Sequence, residues 1–221
     1  MIDAVIFDLD GVLVDSEQLW TAAREQVVRE RGGRWTAEAT RAMMGMSSRE
    51  WSRYMRDELH VDMPPEAISA DVVKRLDTLY RQRLPLLPGA VEAVTALRAR
   101  WRLGLASSAN REIIELVLEL AELAGSFEAT VSSEEVLHGK PAPDVYLEAA
   151  RRLGLRPAQC VAVEDSTNGL RAAAAASMTV VAIPNPHFPP DEEALRLAAV
   201  VVESPHELRP ELIDGLAYSA R

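Results

Sequence analysis

Cysteine is all but missing from this chain: Cys160 is the only one. A single thiol cannot close an intrachain disulfide, so the core must hold the fold, and a reducing cytoplasm is the expected setting. The thiol itself reads as a small buried filler. Long apolar runs are missing too, and none approaches the roughly 20 residues that a membrane span needs. The chain begins directly with a strand-like segment, so no signal peptide is expected. Positive charge is in deficit: 24 Lys and Arg stand against 34 Asp and Glu, a formal net charge of -10. That argues against nonspecific nucleic-acid binding. It also means that an anionic ligand needs a metal or placed cations. No repeat is visible, and the one biased tract, the alanines 172–176, suits close packing of a helix on a sheet.

What is present is an ordinary globular composition. With 221 residues, 48% apolar and 26% charged, the chain is long enough for one domain plus a smaller insertion. Ala4-Val5-Ile6-Phe7 is a short, continuous apolar run, as a strand buried on both faces of a parallel sheet requires. Residues 16–83 then change to helical patterning. One amphipathic helix includes Leu19, Ala22, Ala23 and Val28 and is stopped by Gly32-Gly33; a second, capped by Ser48, runs through Tyr54. A third opens at Pro64-Pro65 and runs through Leu76 and Leu79. After a helix opened by Pro88-Gly89, strands are expected at Leu103–Ala106, Val161–Val163, Val180–Ile183 and Ala199–Val202. Helices are expected between them, at Leu116–Leu123, Val145–Leu153 and Leu170–Ala176. This alternation predicts right-handed βαβ units and a doubly wound, Rossmann-like parallel sheet. The all-helical stretch reads as an inserted cap, giving an α/β core of residues 1–14 and 86–221 and an α-helical cap of residues 15–85.

Open α/β sheets bind ligands at the carboxyl ends of their strands. There this sequence places Asp8 and Asp10, then Ser107 and Ser108, then Glu164 and Asp165, with Lys140 in a loop just before a helix. Residues two apart on an extended chain point the same way, so Asp8 and Asp10 can face one site. With Asp165 they form an anionic cluster that a hard divalent cation makes tolerable. Taken singly these features have ordinary explanations: a solvated acidic pair, a helix cap at Glu164-Asp165, a surface lysine. Their order, each at a strand end, is what carries chemistry.

Four segments carry a resemblance: Asp8-Leu9-Asp10-Gly11-Val12-Leu13-Val14-Asp15-Ser16, Leu105-Ala106-Ser107-Ser108, Gly139-Lys140-Pro141-Ala142-Pro143-Asp144, and Val163-Glu164-Asp165-Ser166-Thr167-Asn168-Gly169. Through them the chain resembles the haloacid dehalogenase superfamily, in its helical-cap phosphatase and β-phosphoglucomutase branch. The resemblance implies a magnesium-dependent phosphohydrolase. Asp8 would be the nucleophile, forming an aspartyl phosphate, and Asp10 the general acid and base. Magnesium would be held by Asp8, the backbone carbonyl of Asp10, Asp165 and, directly or through water, Glu164. Ser107 and nearby backbone N–H groups would hold phosphoryl oxygens, and Lys140 would neutralise charge. Dehalogenases of the superfamily lack an aspartate at the position of Asp10, so phosphate ester chemistry is expected.

The resemblance is less explicit about the substrate. Trp20 is expected over the site or in the core of the cap. The β-phosphoglucomutase-like enzymes carry a histidine there, and the tryptophan is similar to that of sugar and sugar-alcohol phosphatases. Arg49 is a candidate for substrate oxygens or a solvated helix-start arginine. Ser108 and Asn110 are candidates for phosphate contact, Asn110 also as a helix cap. Met43, Met44 and Met46 read as adaptable packing. The leading expectation is a phosphatase for a small phosphorylated metabolite, without nucleic-acid or membrane partners, acting as a monomer or weak homodimer. A β-phosphoglucomutase-like isomerase is the nearest alternative. A receiver-type phospho-aspartate signalling module is a remote one, disfavoured by the early position of Asp8 and the long helical insertion.

Overall fold

The computed structural model describes residues 1–219. In chain order it forms β1 (Ala4–Phe7), α1 (Glu17–Glu30), α2 (Ala39–Met43), α3 (Ser48–Asp57), α4 (Pro65–Gln82), α5 (Ala90–Arg98), β2 (Arg102–Ser107), α6 (Arg111–Leu120), β3 (Ala129–Ser132), α7 (Asp144–Arg152), β4 (Cys160–Glu164), α8 (Thr167–Ala175), β5 (Thr179–Ala182), α9 (Glu192–Leu195), β6 (Val200–Val201) and α10 (Pro210–Ser219). The strands make one parallel sheet in the order β3-β2-β1-β4-β5-β6. The order reverses between β1 and β4, and this switch point opens a crevice at the carboxyl ends of the two strands.

Side-chain alternation along β1 explains why both faces are covered. Val5 and Phe7 join one apolar cluster with Val94, Leu97, Ile113 and Ile213 of α5, α6 and α10. Ala4 and Ile6 join another with Val145, Ala149, Leu170 and Ala173 of α7 and α8. The alanines of α8 do allow close approach to the sheet: Ala172 and Ala173 are fully buried. Cys160 begins β4, is buried, and its thiol is pushed up to about 11 by that burial.

Among the described residues no strand interrupts Glu17–Gln82. Within this helical insert α4 packs on α1 and α3, burying Ile68, Val72, Leu76 and Tyr80 at helical spacing. Each of the aliphatic three contributes about 1.5–3 kcal/mol by leaving water. The two connections of the insert lie side by side: the Asp15 amide donates to the Pro85 carbonyl at 2.8 Å, and the Leu87 amide to the Leu13 carbonyl at 2.9 Å.

Three expectations needed correction. β3 is a strand that sequence patterning did not reveal, because a four-residue edge strand with Thr130 and Ser132 has too little apolar alternation to register. Ser47, not Ser48, is the N-cap of α3, where it and Glu50 form a reciprocal capping box. The helix expected over Leu116–Leu123 begins earlier, at Arg111. Among the described residues, no helix is long and apolar enough to cross a membrane.

Candidate active site

β1 and β4 end in register, with Phe7 beside Val163 and the Asp8 amide donating to the Val163 carbonyl at 3.0 Å. This register brings the carboxylates of Asp8, Glu164 and Asp165 into one group, in which one oxygen from each lies within 4.8 Å of the others. Lys140 reaches between them from the loop before α7. Its Nζ donates to Asp8 Oδ1 at 2.8 Å and to Glu164 Oε1 at 2.6 Å, with 4% of the residue exposed. The ammonium also lies 5.1 Å from the Tyr146 ring centroid.

The electrostatics follow from burial. Burial pushes the Asp8 carboxyl up to about 7, against the pull of Lys140 and with the help of Glu164 and Asp10. Burial, then Glu164 and Asp8, raise Asp165 well above the usual carboxylate range. Burial works against the charge on Lys140, but the two carboxylates outweigh it and raise its pKa.

Glu164 is saturated with donors. Its Oε1 accepts from Lys140 and from the Tyr146 hydroxyl at 2.8 Å; its Oε2 accepts from the Asp165 amide at 3.0 Å, the Ser166 amide at 3.3 Å and the Ser166 hydroxyl at 3.2 Å. By contrast, no described residue donates a hydrogen bond to the Asp165 carboxylate. An all-oxygen, anionic donor set with an unbonded buried carboxylate suits a hard divalent cation such as magnesium, so the residues present fit the ion. Two glycines make the cluster sterically feasible. A Cβ at Gly11 (φ +79°) would meet Asp165 Oδ2 at 1.9 Å, and one at Gly169 would meet the Glu164 carboxylate at 1.9 Å. The helix cap at this strand end comes from Ser166, whose hydroxyl accepts from the Gly169 amide at 3.1 Å.

Asp10 lies two residues beyond Asp8, in the core segment that leads into the insert. Its Oδ1 accepts from the Ser16 hydroxyl and from Trp20 Nε1 at 3.0 Å. Both donors converge on one oxygen, so Oδ2 is left to carry or take a proton. Trp20 thereby links α1 of the insert to a carboxylate of the core.

The cleft between the two sides is narrow, about 60 Å³, and is lined by Asp8, Asp10, Trp20, Ser108, Lys140 and Asp165 of the expected residues. Ser107 is fully buried beneath it, and its Oγ accepts from the Ala109 amide at 3.0 Å, leaving the hydroxyl proton to donate. The Ser108 hydroxyl donates to the Gly45 carbonyl of the insert at 3.2 Å. Arg49 and Asn110 do not line this cleft. They lie in a separate groove where insert and core meet around Glu134. Arg49 Nη2 donates to the Glu134 carbonyl at 3.2 Å. Asn110 makes no side-chain cap to α6; its Nδ2 donates to Glu134 Oε1 at 2.8 Å and to Ser69 Oγ at 3.1 Å, while Glu134 Oε2 accepts from the Arg111 amide. With the Ser48 hydroxyl also donating to Glu134 at 2.6 Å, this loop glutamate joins the two parts.

The sequence profile of the haloacid dehalogenase-like hydrolases matches residues 2–177. The chain belongs to that family. Among haloacid dehalogenase-like relatives, Hexitol phosphatase B of Escherichia coli (strain K12) is 36% identical over 218 residues, 96% of either chain. The Phosphorylated carbohydrates phosphatase of Thermotoga maritima is 33% identical over 178 residues, covering 80% of this chain and 82% of its own. Among solved structures, CbbY from Rhodobacter sphaeroides in complex with phosphate superposes with a TM-score of 0.83 at 27% identity, covering 94% of this chain and 96% of its own.

Glu17, Arg24, Trp51 and Tyr146 were not singled out from sequence. Glu17, Trp20 and Arg24 share one face of α1 by their spacing, and Arg24 is buried. A charged residue inside an otherwise apolar helical stripe was the available signal.

Proposed function

We propose that this chain is a magnesium-dependent phosphatase that hydrolyses a small sugar or sugar-alcohol phosphate through an aspartyl phosphate on Asp8. The observation that carries this reading is the division of labour between two aspartates. Asp8 is locked against Lys140, while Asp10 is fixed through one oxygen by Ser16 and Trp20 and keeps the other free. The membership in the hydrolase family and the names of the phosphatase relatives support it.

In the first step Asp8 attacks phosphorus, an aspartyl oxygen–phosphorus bond forms, and Asp10 gives its proton to the departing alcohol oxygen. In the second, Asp10 takes a proton from water as the water attacks the phosphoryl group, and Asp8 leaves as the carboxylate. The Asp8 and Asp165 carboxylates and the Asp10 backbone carbonyl would hold magnesium. When bound, the ion neutralises charge and polarises the phosphoryl oxygens. Glu164, already taken by five donors, serves this reading as the anchor of Lys140 and of the β4–α8 turn. Ser107 and the amides after it would hold phosphoryl oxygens at the start of α6. Residues 15–85 would act as a cap that excludes water from the aspartyl phosphate until the alcohol has left. The isomerase alternative has less support, because an indole N–H only donates and cannot serve as the base that a histidine at position 20 could be. The single buried thiol supports a reducing, cytoplasmic setting.

The test is phosphate release from sugar, polyol and nucleotide monophosphates, before and after chelation. Turnover should vanish with the metal, return with magnesium and be inhibited by calcium, whose looser coordination disturbs in-line attack. Undiminished release after thorough chelation would sink the reading.

A further inference from the structure

The insert side of the cleft holds two charged side chains for which the steps at Asp8 and Asp10 have no use. Glu17 and Arg24 line the cleft with Trp20. Arg24 is 5% exposed, and its guanidinium lies 4.7 Å from the Trp20 ring centroid and 5.1 Å from that of Trp51. Arg24 Nε is buried without an acceptor, and Glu17 Oε1 is buried without a donor. No ion pair among the described residues joins them to each other or to anything else. Buried polar atoms are overwhelmingly hydrogen-bonded in folded proteins, so two orphans of opposite hydrogen-bonding sense in one cleft point to a ligand that supplies both partners.

We propose that Glu17 and Arg24 are a specificity-determining pair that reads the hydroxyl groups of a neutral polyhydroxy alcohol esterified by a single phosphate. Arg24 donates to one hydroxyl oxygen, and Glu17 accepts from another. The inference rests on the phosphatase reading above and names the class of its leaving group. Three other classes fit the pair less well. An apolar alcohol would seal both orphans away unpaired. An amine would suit Glu17 but face the Arg24 cation. A second phosphate would meet the wrong balance of charge: of the charged residues lining the cleft, Asp8, Asp10, Glu17 and Asp165 are carboxylates, against only Lys140 and Arg24. Lys140 is committed to Asp8 and Glu164, which leaves one cation with a carboxylate beside it. Both indoles hold the guanidinium by cation–π contact, so the group is positioned before the ligand arrives.

The experiment measures kcat and KM with magnesium on a hexitol monophosphate, a ketohexose bisphosphate and p-nitrophenyl phosphate, for the native protein and for Arg24→Met, Arg24→Lys and Glu17→Ala. The quantity read is the ratio of kcat/KM on the hexitol ester to that on the nitrophenyl ester, which lacks hydroxyls. That ratio should fall roughly ten- to a hundredfold in Arg24→Met and about tenfold in Glu17→Ala, chiefly through KM, with Arg24→Lys recovering part of the loss. The native protein should prefer the monophosphate to the bisphosphate. A residue that merely packs would slow both esters together, so a ratio within about twofold of native in both variants overturns the pair's role. Faster native turnover of the bisphosphate overturns the hydroxyl assignment. If the native protein releases phosphate from none of the three, the phosphatase reading fails instead. Should Arg24→Met not fold, Glu17→Ala at the partly buried start of α1 carries the test.

Discussion

Asp165 apart, the two sides of the cleft treat buried charge in opposite ways. On the core side Glu164 accepts five hydrogen bonds, Lys140 bridges two carboxylates, and the Tyr146 hydroxyl is used. On the insert side Glu17 Oε1 and Arg24 Nε are equally withdrawn from water and have nothing. Burial moves both groups toward neutrality, raising Glu17 against the pull of Arg24 and lowering Arg24 against the pull of Glu17 and Asp10. A pre-organised environment stabilises charge as it develops in a reaction, so the saturated side suits chemistry common to many esters. Unsatisfied groups make discrimination steep, because the wrong ligand leaves them unpaired. The lesson is that reaction and selection are separated along the seam between core and insert, with Trp20 crossing it.

The sharpest way to break that comparison is to damage the core side alone. In the proposed mechanism Asp8→Asn removes the attacking oxygen and a ligand charge, and turnover should fall to background. Asp10→Asn should lose about 10²–10⁴-fold in kcat yet still take a phosphoryl group onto Asp8 from p-nitrophenyl phosphate, whose leaving group needs little protonation. Intact-mass spectrometry should find one phosphoryl adduct, sensitive to hydroxylamine. An adduct mapped to another residue, or full activity in either variant, would falsify the proposed mechanism.

Gly169→Ala asks whether the core cluster is as rigid as its hydrogen bonds suggest. The new Cβ would sit on the Glu164 carboxylate, and the overlap should cost about 1–3 kcal/mol of stability in urea unfolding. Wild-type stability would mean that Glu164 can move aside.

Trp20→Phe tests the crossing itself. It keeps the ring packed edge-on to Trp51 at 6.0 Å but removes the donor to Asp10. The expected loss is about tenfold in kcat on an alkyl phosphate and clearly less on the nitrophenyl ester. Equal losses on both would assign Trp20 to packing.

The smallest effect is a control away from the cleft. Hydrogen bonds from Arg151 and then Arg152 hold the Glu148 carboxyl down at about 2, against an ordinary 4.5. A depressed carboxyl adds stability above its unfolded value, and that stability is lost as pH falls from about 4.5 toward 2. The side chain is 21% exposed, and solvent screening keeps the contribution under about 1 kcal/mol. Glu148→Gln should therefore be slightly less stable than native at neutral pH, with the gap closing toward pH 3. A gap that stays constant with pH would trace to packing.

What the sequence disclosed about this molecule follows from how local each signal is. Ala4–Phe7 ending in Asp8, and Val161–Val163 ending in Glu164 and Asp165, are apolar runs stopped by acids, so strand and site residue were read together. The helical stretch was read from the change of pattern over residues 16–83, with Pro64-Pro65 opening α4 within it and Pro88-Gly89 opening the helix after it. β3 escaped because an edge strand needs little apolar pattern. Glu134 escaped because a loop glutamate linking Ser48 with Asn110 and Arg111 owes its role to two distant segments. Arg49 has an obvious chemistry for phosphate, but side-chain type does not determine which of two grooves it enters. Glu17 and Arg24 were hidden by the same limit, since burial of a charge on an amphipathic helix depends on what covers that face.

The sheet order has a consequence for how the protein is made. β1 is synthesised well before its hydrogen-bonded neighbours: β2 lies beyond the whole insert and β4 later still, and Ala4 pairs with Arg102 and with Cys160. Contacts of such separation close slowly, whereas α1, α3 and α4 can pack soon after synthesis. The strand bearing Asp8 thus waits, unpaired and wholly apolar, while later segments appear. Asp8 meets Lys140 and Asp165 only once most of the chain has been translated, so a nascent fragment carries an aggregation hazard but no assembled site.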